Sequence, residues 1–141
     1  DVSAPILATA REGLYDQPRL TEVPAPVLRK YFREEAGRYR LIDRIRGMVR
    51  FERHNIMTAE PFPAVDLILC RNVLIYFSRA EQERILLNFS NALAASGVLV
   101  LGRSEVLVGE MRTLFLSEFP IERIYRRKGS EPAAVEPLQG P

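Results

Sequence analysis

The chain has 141 residues and a formal net charge of +2 at pH 7, so it suits one domain, and its charge alone gives no reason to expect nucleic acid or a membrane as a partner. Hydrophobic residues form 47% of the composition, which is enough for one core of ordinary size. The single cysteine, Cys70, excludes an internal disulfide and indicates a reducing compartment. No apolar run approaches a membrane-spanning length, and because residue 1 is not Met we expect the natural start to lie upstream.

The first third of the chain is predicted to contain two helices followed by a strand or hairpin. Residues 3–14 suit a helix, with Ser3 as its N-cap and Gly13 as its stop. Residues 26–32 have apolar side chains at helical spacing and predict a second short helix. Residues 38–46 alternate polar and apolar in part, which favours a half-exposed strand or hairpin over a core helix.

The middle of the chain predicts a strand–helix–strand unit. Residues 49–53 are predicted as a short strand, and residues 65–70 form a compact apolar run that suits a buried parallel strand. Ser78 begins a helix with a capping-box pattern, and Ser96 with the glycine after it ends that helix. Residues 98–101 follow as another buried strand. Short joints between these elements indicate a right-handed βαβ unit in a parallel sheet.

The last third of the chain is predicted to end in a short helix, a strand and an unstructured tail. Residues 110–116 suit the helix, and residues 119–126 suit a closing strand at a sheet edge. Residues 129–141 are rich in Pro, Ala and Glu and have almost no large apolar side chains, so we predict a disordered tail or a linker.

The segment DLILCRNVLIYF, residues 66–77, resembles the signature of the CheR-type family, which methylates glutamates on chemotaxis receptors. Three weaker similarities follow the order of the family's motifs: ARxGxY at residues 10–15, a strand and an asparagine at residues 50–56, and a GHSE-like GRSE at residues 102–105. The resemblance covers residues 1 to about 126.

The resemblance implies an α/β fold, a Rossmann-like class I methyltransferase domain with a mostly parallel sheet. Residues 1–128 would be the C-terminal part of this catalytic domain, with a small inserted antiparallel β-subdomain at residues 31–46. The family's first strand and glycine loop are expected upstream of Asp1, so the domain would be N-terminally truncated. The chain would then supply about half of a cofactor pocket. We therefore expect it to bind S-adenosyl-L-methionine weakly or not at all, and to be inactive alone.

The resemblance also implies which residues bind the cofactor, and open parallel sheets bind ligands at the carboxyl ends of their strands. Asp1 would accept hydrogen bonds from the ribose hydroxyls. Asn55 would contact the adenine with its amide, and Ile56 would provide apolar contact or a backbone N–H beside it. Arg71 and Asn72 would surround the methionine part. The alternatives are structural: Asp1 would be only a polar residue before a helix, Asn55 a turn residue, and Arg71 with Asn72 a capped strand end.

The implied reaction transfers a methyl group from the sulfonium to a glutamate carboxylate and forms a glutamyl methyl ester. Glutamate has a pKa of about 4.3 in water, so no general base is required and catalysis depends on alignment and exclusion of water. Tyr76 would orient the carboxylate, although a core aromatic is the alternative interpretation. We interpret Cys70 as a small buried residue and Glu105 as a hydrogen-bond partner of loop backbone. His54 is the only histidine, so no metal site is expected.

The partners that the resemblance implies are the cytoplasmic domains of methyl-accepting chemoreceptors. The protein would be a cytoplasmic monomer in signal transduction, with no nucleic acid and no membrane insertion. Arginines in residues 33–46 either contact acidic receptor segments or simply form a solvated face. The main alternative function is a non-catalytic CheR-like binding module within a larger signalling protein. Another nucleotide-binding enzyme is the third hypothesis, and the long signature disfavours it. Arg103 and Val106 replace the family's usual His and Asn, which leaves room for another protein substrate.

Overall fold

A computed structural model of the chain describes residues 1–58, 62 and 64–129. The chain divides into two compact units, Asp1–Asn55 and Ile56–Pro141. Except for Gly129, the predicted tail at residues 129–141 lies outside the described residues. Among the described residues, none of the helices has the length and apolar character that crossing a membrane requires.

The first unit opens with the predicted helix, α1, at Ala4–Glu12. The Ser3 hydroxyl accepts a hydrogen bond from the Ile6 N–H, so Ser3 is the N-cap. Gly13 ends the helix in the left-handed conformation, with φ of 61°. A Cβ at this position would lie 3.1 Å from the Arg46 Cδ, so glycine meets both the backbone and the space requirement. The prediction of this helix and its two ends is confirmed.

A small antiparallel sheet occupies much of the rest of the first unit. Its strands, in the order β1–β3–β2, are β1 at Leu14–Asp16, β2 at Phe32–Glu35 and β3 at Arg38–Leu41. The second predicted helix, α2, covers Ala25–Tyr31 and leads directly into β2. The predicted strand or hairpin at residues 38–46 is confirmed in its first half, because β2 and β3 form a hairpin. Its second half is instead a single helical turn, α3, at Asp43–Arg46.

The predicted strand at residues 49–53 is wrong. Within the described part of the chain this segment makes one strand-like contact, with Asp1: the Asp1 amino group donates to the Glu52 carbonyl at 3.3 Å, and the Asp1 carbonyl accepts from the His54 N–H at 3.0 Å. This is the hydrogen-bond pattern of a parallel pair between Asp1 and Arg53. A strand needs a run of such bonds, and in the described residues only this one pair forms.

The second unit contains the predicted strand–helix–strand unit. Strand β4 covers Val65–Cys70, helix α4 covers Arg79–Ala92, and strand β5 covers Leu93–Leu101. The two strands are parallel, with Ile68 beside Leu99. Helix α4 has the predicted capping box between the Ser78 and Glu81 side chains and backbones. It ends at Ala92 rather than at Ser96, and the chain is already extended from Leu93 onwards.

The second unit closes with a helical turn and a β-hairpin. Helix α5 covers Met111–Leu114, strand β6 covers Phe115–Phe119 and strand β7 covers Ile124–Arg127. The predicted single strand at residues 119–126 is therefore the end of β6, a turn and most of β7.

The four strands have the order β4–β5–β7–β6, and β7 is antiparallel to both of its neighbours. The described sheet is thus mixed, with one parallel and two antiparallel pairs. The prediction of a mostly parallel sheet does not hold for these strands, because the chain returns through a hairpin.

The core of the second unit lies between α4 and one face of this sheet. Six side chains are almost fully buried there: Leu74, Ile85, Leu86, Leu93, Leu99 and Leu101. Each contributes about 1.5–3 kcal/mol of hydrophobic stabilisation. On the other face of β4, Leu67 and Leu69 are exposed. The buried face therefore fixes β4 and β5 side by side, with their carboxyl ends at one edge of the sheet.

Candidate functional site

The candidate site lies at the carboxyl ends of β4 and β5. Cys70 and Leu101 are neighbours in the parallel register and each ends its strand, so the loops after them leave from the same edge. In open α/β sheets ligands bind at this edge. The loop after β4, residues 71–77, contains most of the CheR-like signature and is called the signature loop below. The loop after β5 contains the GRSE segment.

Glu105 joins these two loops. Its side chain is almost completely buried, with 4% of the residue surface exposed. Oε1 accepts hydrogen bonds from the N–H groups of Val73 and Leu74 at 2.8 and 2.7 Å. Oε2 accepts from those of Asn72 and Gly102 at 2.9 and 2.6 Å. One carboxylate thus fixes four backbone amides, three of them in the signature loop.

The hydrogen bonds keep Glu105 ionised despite its burial. Burial alone would raise the pKa of the Glu105 carboxyl, but the four backbone N–H donors outweigh it, and the pKa lies below its ordinary value. A carboxylate that accepts several N–H bonds is stronger as an acceptor than a neutral group. The interpretation of Glu105 as a structural partner of loop backbone is confirmed.

Gly102 allows the two loops to approach this closely. A Cβ on Gly102 would lie 2.6 Å from the Asn72 Oδ1 and 2.7 Å from the Glu105 Oε2, both shorter than a real side chain tolerates. Asn72 itself has a φ of 58°, in the left-handed region that asparagine adopts more readily than most residues. Backbone geometry therefore explains Gly102 and Asn72 whether or not a ligand contacts them.

Gln82 holds the same loop from the helix side. Its amide Nε2 donates to the carbonyl oxygens of Leu74 and Phe77, at 3.0 Å in both cases. The sequence prediction missed this residue. The signal available was a polar side chain on the first turn of α4, one position after the capping-box residue Glu81, where it can reach back to the loop before the helix.

The side chains of the signature loop divide into buried and exposed ones. Leu74 is 1% exposed and packs in the core, whereas Tyr76 is 80% exposed. Arg71 and Asn72 are exposed as well. The alternative interpretation of Tyr76 as a core aromatic is therefore wrong, while Phe77 is half-buried and packs against the core. Hydrogen bonds to the loop backbone and the buried Leu74 side chain hold the loop in place, and its exposed polar side chains are available to a ligand.

Cys70 sits at the end of β4 and is not suited to covalent chemistry. The residue is buried, and burial together with the nearby negative charge of Glu105 raises the pKa of its thiol to about 11. The thiolate is the reactive form of cysteine, so this thiol is essentially unreactive at neutral pH. Its interpretation as a small buried residue is confirmed.

Ile56 also belongs to the second unit and is anchored to α4. The Asn88 Nδ2 donates to the Ile56 carbonyl at 3.4 Å, and the Ile56 side chain packs against the core. Its half-buried side chain is consistent with an apolar contact surface.

Asp1 and Asn55 belong to the first unit. Asp1 pairs by its backbone with Arg53, and its Oδ1 accepts a hydrogen bond from the Ser3 N–H at 2.8 Å. Both Asp1 and Asn55 are exposed. Asn55 follows Arg53 by two residues, so the two predicted contacts of this unit come from adjacent stretches of backbone. The carboxylate and the amide are suited to hydroxyl groups and a base edge, respectively.

The predicted site residues therefore form two groups. Arg71, Asn72 and Tyr76 lie on one loop of the second unit, and Asp1 and Asn55 lie together in the first. Within the parts of the chain that the structure describes, no three His, Cys, Asp or Glu side chains are grouped so as to hold a metal ion.

Comparisons with known proteins agree with the signature. Residues 1–120 match the model of the family described as CheR methyltransferase, SAM binding domain. The chain is 36% identical over 121 residues to a probable chemotaxis protein methyltransferase of Rhizobium etli, covering 82% of the chain and 45% of that protein. It is 38% identical over 112 residues to a chemotaxis protein methyltransferase of Vibrio anguillarum, covering 77% of the chain and 41% of that protein.

A third relative is much longer. The chain is 37% identical over 108 residues to an uncharacterized 104.1 kDa protein of Rhodobacter capsulatus, covering 77% of the chain but 11% of that protein. The chain thus spans less than half the length of each of these three relatives.

Proposed function

Since the chain belongs to the CheR methyltransferase family, we propose that the protein carrying it transfers a methyl group from S-adenosyl-L-methionine to glutamate side chains of chemotaxis receptors. The observation that carries this proposal is the signature loop. Glu105 and Gln82 hold its backbone at the carboxyl end of β4, while Arg71, Asn72 and Tyr76 remain exposed. This arrangement presents polar side chains on a fixed backbone, as catalysis by alignment requires.

The fold that we propose is a Rossmann-like class I methyltransferase domain. The parallel β4–α4–β5 unit supports it, because such units form the ligand-binding edge of open α/β sheets. For the antiparallel β-subdomain at residues 31–46, the β2–β3 hairpin is the support. The proposed domain covers residues 1–128.

The cofactor contacts in this proposal are those that the resemblance implies. The Asp1 carboxylate would accept hydrogen bonds from the ribose, Asn55 and Ile56 would contact the adenine, and Arg71 and Asn72 would lie along the methionine part. The residues fit these roles chemically: Asp1 has a second carboxylate oxygen without a hydrogen bond in the described residues, and Arg71 is an exposed cation suited to a carboxylate.

The bound cofactor would supply an electrophilic methyl group, and the protein would align its acceptor. The substrate glutamate is ionised at neutral pH and needs no base to become a nucleophile. Tyr76 would donate a hydrogen bond to one carboxylate oxygen and leave the other directed at the methyl group. The described side chains around the loop agree with this chemistry, because the Cys70 thiol is protonated and Glu105 is committed to backbone donors.

The proposed partners are the cytoplasmic domains of methyl-accepting chemoreceptors, and the proposed state is a monomer in the cytoplasm. The relatives named as chemotaxis methyltransferases support the partner. A buried, unreactive single cysteine is compatible with a reducing compartment. Because the chain spans less than half of these relatives, we also propose that the isolated 141 residues bind S-adenosyl-L-methionine weakly. Micromolar binding in isothermal titration would refute this.

A second candidate is a non-catalytic CheR-like module within a larger signalling protein. The match to 11% of a 104.1 kDa protein favours it, because a related domain occurs there as a small part of a long chain. The accessible Tyr76 on a rigid loop favours the enzyme.

The experiment that separates these candidates uses the complete protein that carries this chain. It is incubated with tritiated S-adenosyl-L-methionine and receptor-containing membranes. We expect base-labile label on receptors, and Tyr76→Phe should lower kcat without changing the amount of folded protein. If the wild-type protein leaves several different receptors unlabelled, the hypothesis of a receptor methyltransferase is wrong. The hypothesis of a non-catalytic module is then favoured.

A further inference from the structure

The amide of Gln82 spans the turn that carries Tyr76. Leu74–Tyr76 form a single 3-10 turn, and Phe77 closes it by donating its N–H to the Leu74 carbonyl at 3.0 Å. The two hydrogens of the Gln82 amide are directed to the carbonyls of Leu74 and Phe77, one on each side of the turn. Tyr76 lies between these two anchor points.

The two sides of the loop are held by different residues. Glu105 accepts hydrogen bonds from the N–H groups of Val73 and Leu74 at the start of the turn. Gln82 donates to the carbonyls of Leu74 and Phe77, at the start of the turn and just after it. A 3-10 turn of this length has little stability of its own, because it has poor hydrogen-bond geometry and no cooperative neighbours. The Gln82 amide therefore adds two hydrogen bonds to those that the turn makes through the N–H groups of Tyr76 and Phe77.

Helix α4 does not require the Gln82 amide for its own stability. The capping box between Ser78 and Glu81 already satisfies the start of the helix, and the Gln82 backbone N–H donates to the Ser78 carbonyl at 2.9 Å. The side-chain amide is thus an addition to the helix that serves the loop. A second amide of the same helix, on Asn88, binds the carbonyl of Ile56 in the same way.

We infer that Gln82 is a positioning residue for Tyr76, acting through the turn backbone without touching the methyl donor or acceptor. This inference rests on the proposed function, because it assigns to the turn the task of orienting the tyrosine hydroxyl toward the substrate carboxylate. A misplacement of about 1 Å at a reacting group can lower a rate about a hundredfold.

The first test replaces Gln82 with Met in the complete protein, which keeps the volume and removes both hydrogen bonds. We expect kcat for methyl transfer to fall roughly ten- to hundredfold, with the KM for S-adenosyl-L-methionine nearly unchanged, because Glu105 still holds Asn72. The matched control is Thr113→Val in α5, which also removes a side-chain bond to a backbone carbonyl, that of Glu110. It should leave kcat at the wild-type value.

The second test uses Gln82→Glu and the pH profile of kcat. An ionised carboxylate has no hydrogen to donate to the two carbonyls, whereas the protonated form regains one of the two bonds. The ratio of the variant's kcat to the wild-type kcat should therefore rise as the pH is lowered, and the Met variant should show no such recovery. If Gln82→Met does not fold, the rise in the kcat of Gln82→Glu relative to wild type at lower pH is the deciding measurement.

Three results would overturn the inference: wild-type kcat in folded Gln82→Met, an equal loss of kcat in Thr113→Val, or a pH-independent ratio for Gln82→Glu. Hydrogen exchange at the Phe77 amide distinguishes a failure of the positioning role of Gln82 from a failure of the proposed function. Faster exchange in Gln82→Met shows that Gln82 holds the turn even in a protein that labels no receptor, and unchanged exchange refutes the positioning role in any case.

Discussion

Glu105→Gln is the most direct test of the structure at the sheet edge. The substitution keeps the size of the side chain but exchanges one carboxylate oxygen for an NH₂ group. Each oxygen of Glu105 accepts two backbone N–H bonds, so either orientation of the amide leaves two donors facing another donor. Two of the four donors would lose their acceptor, and in either orientation one of these two is buried and the other is part-buried.

The expected cost follows from these two lost acceptors. A buried donor left without a partner costs about 1–3 kcal/mol and a part-buried one costs less because water can reach it, so the free energy of unfolding should fall by about 1–4 kcal/mol. This is a large share of the about 5–15 kcal/mol that stabilises an ordinary domain. Urea unfolding followed by far-ultraviolet circular dichroism measures the change.

The control is Glu110→Gln, which removes an exposed charge that makes no capping bond and should change stability by less than about 0.5 kcal/mol. The dependence of stability on pH below 4.5 provides an independent check. Because the pKa of Glu105 is lowered by folding, its contribution is complete above the ordinary value of 4.5 and is lost as the pH falls through the lower folded-state pKa. Glu105→Gln should remove this acid-dependent part. A loss below about 1 kcal/mol at neutral pH would show that the four-bond arrangement is not what stabilises the loop.

Three further predictions address the same edge. Cys70, with a thiol pKa of about 11, should react with iodoacetamide roughly a hundredfold more slowly than glutathione at mildly alkaline pH, measured by mass spectrometry; alkylation at the glutathione rate would contradict its burial. Gly102→Ala should lower the free energy of unfolding by about 1–3 kcal/mol, because the new Cβ would lie 2.6 Å from the Asn72 Oδ1, and unchanged thermal unfolding would contradict this contact. The kcat of receptor methylation should be flat from about pH 6 upward because no base titrates there, and an apparent pKa near 7 would indicate general-base catalysis instead.

The parts of the fold that sequence predicted well are those whose signals are local. The capping box at Ser78 and the left-handed stop at Gly13 depend on a few neighbouring residues, and both occur as predicted. The apolar run at residues 65–70 likewise became the parallel strand β4, but the prediction that this strand is buried is wrong for most of it: Cys70 is buried, whereas Leu67 and Leu69 on the other face are exposed.

The wrong predictions concern pairing, which is not local. Residues 49–53 have a strand-like composition, but a strand forms only where another backbone supplies a run of hydrogen bonds, and in the described residues Asp1 supplies one pair. Residues 119–126 were predicted as one closing strand at a sheet edge. In the structure Arg123 adopts the left-handed conformation instead, with φ of 59°, and a hairpin results.

The candidate site shows the same division. Resemblance selected Arg71, Asn72 and Tyr76, and the structure places all three exposed on one held loop, although their ligand contacts stay a prediction. The role of Glu105 as a partner of loop backbone was predicted from the sequence, where this acid belongs to the GRSE segment. The role of Gln82 was missed: its position on the first turn of α4 allows its side chain to reach back to the preceding loop, but the sequence does not tell whether it does so or points to solvent.

In the proposed reaction, none of the described side chains at this edge is needed for proton transfer. Glu105 is the buried carboxylate beside the signature loop, and its charge is matched by four N–H dipoles. It therefore repels an incoming substrate carboxylate less than a carboxylate without such donors would. Were it neutral, the loop would lose two anchors; were it unpaired, it would oppose the anionic substrate. An ionised, fully bonded carboxylate is thus the state that holds the loop of Tyr76, and under the proposed function it would also tolerate a substrate glutamate nearby without acting as its base.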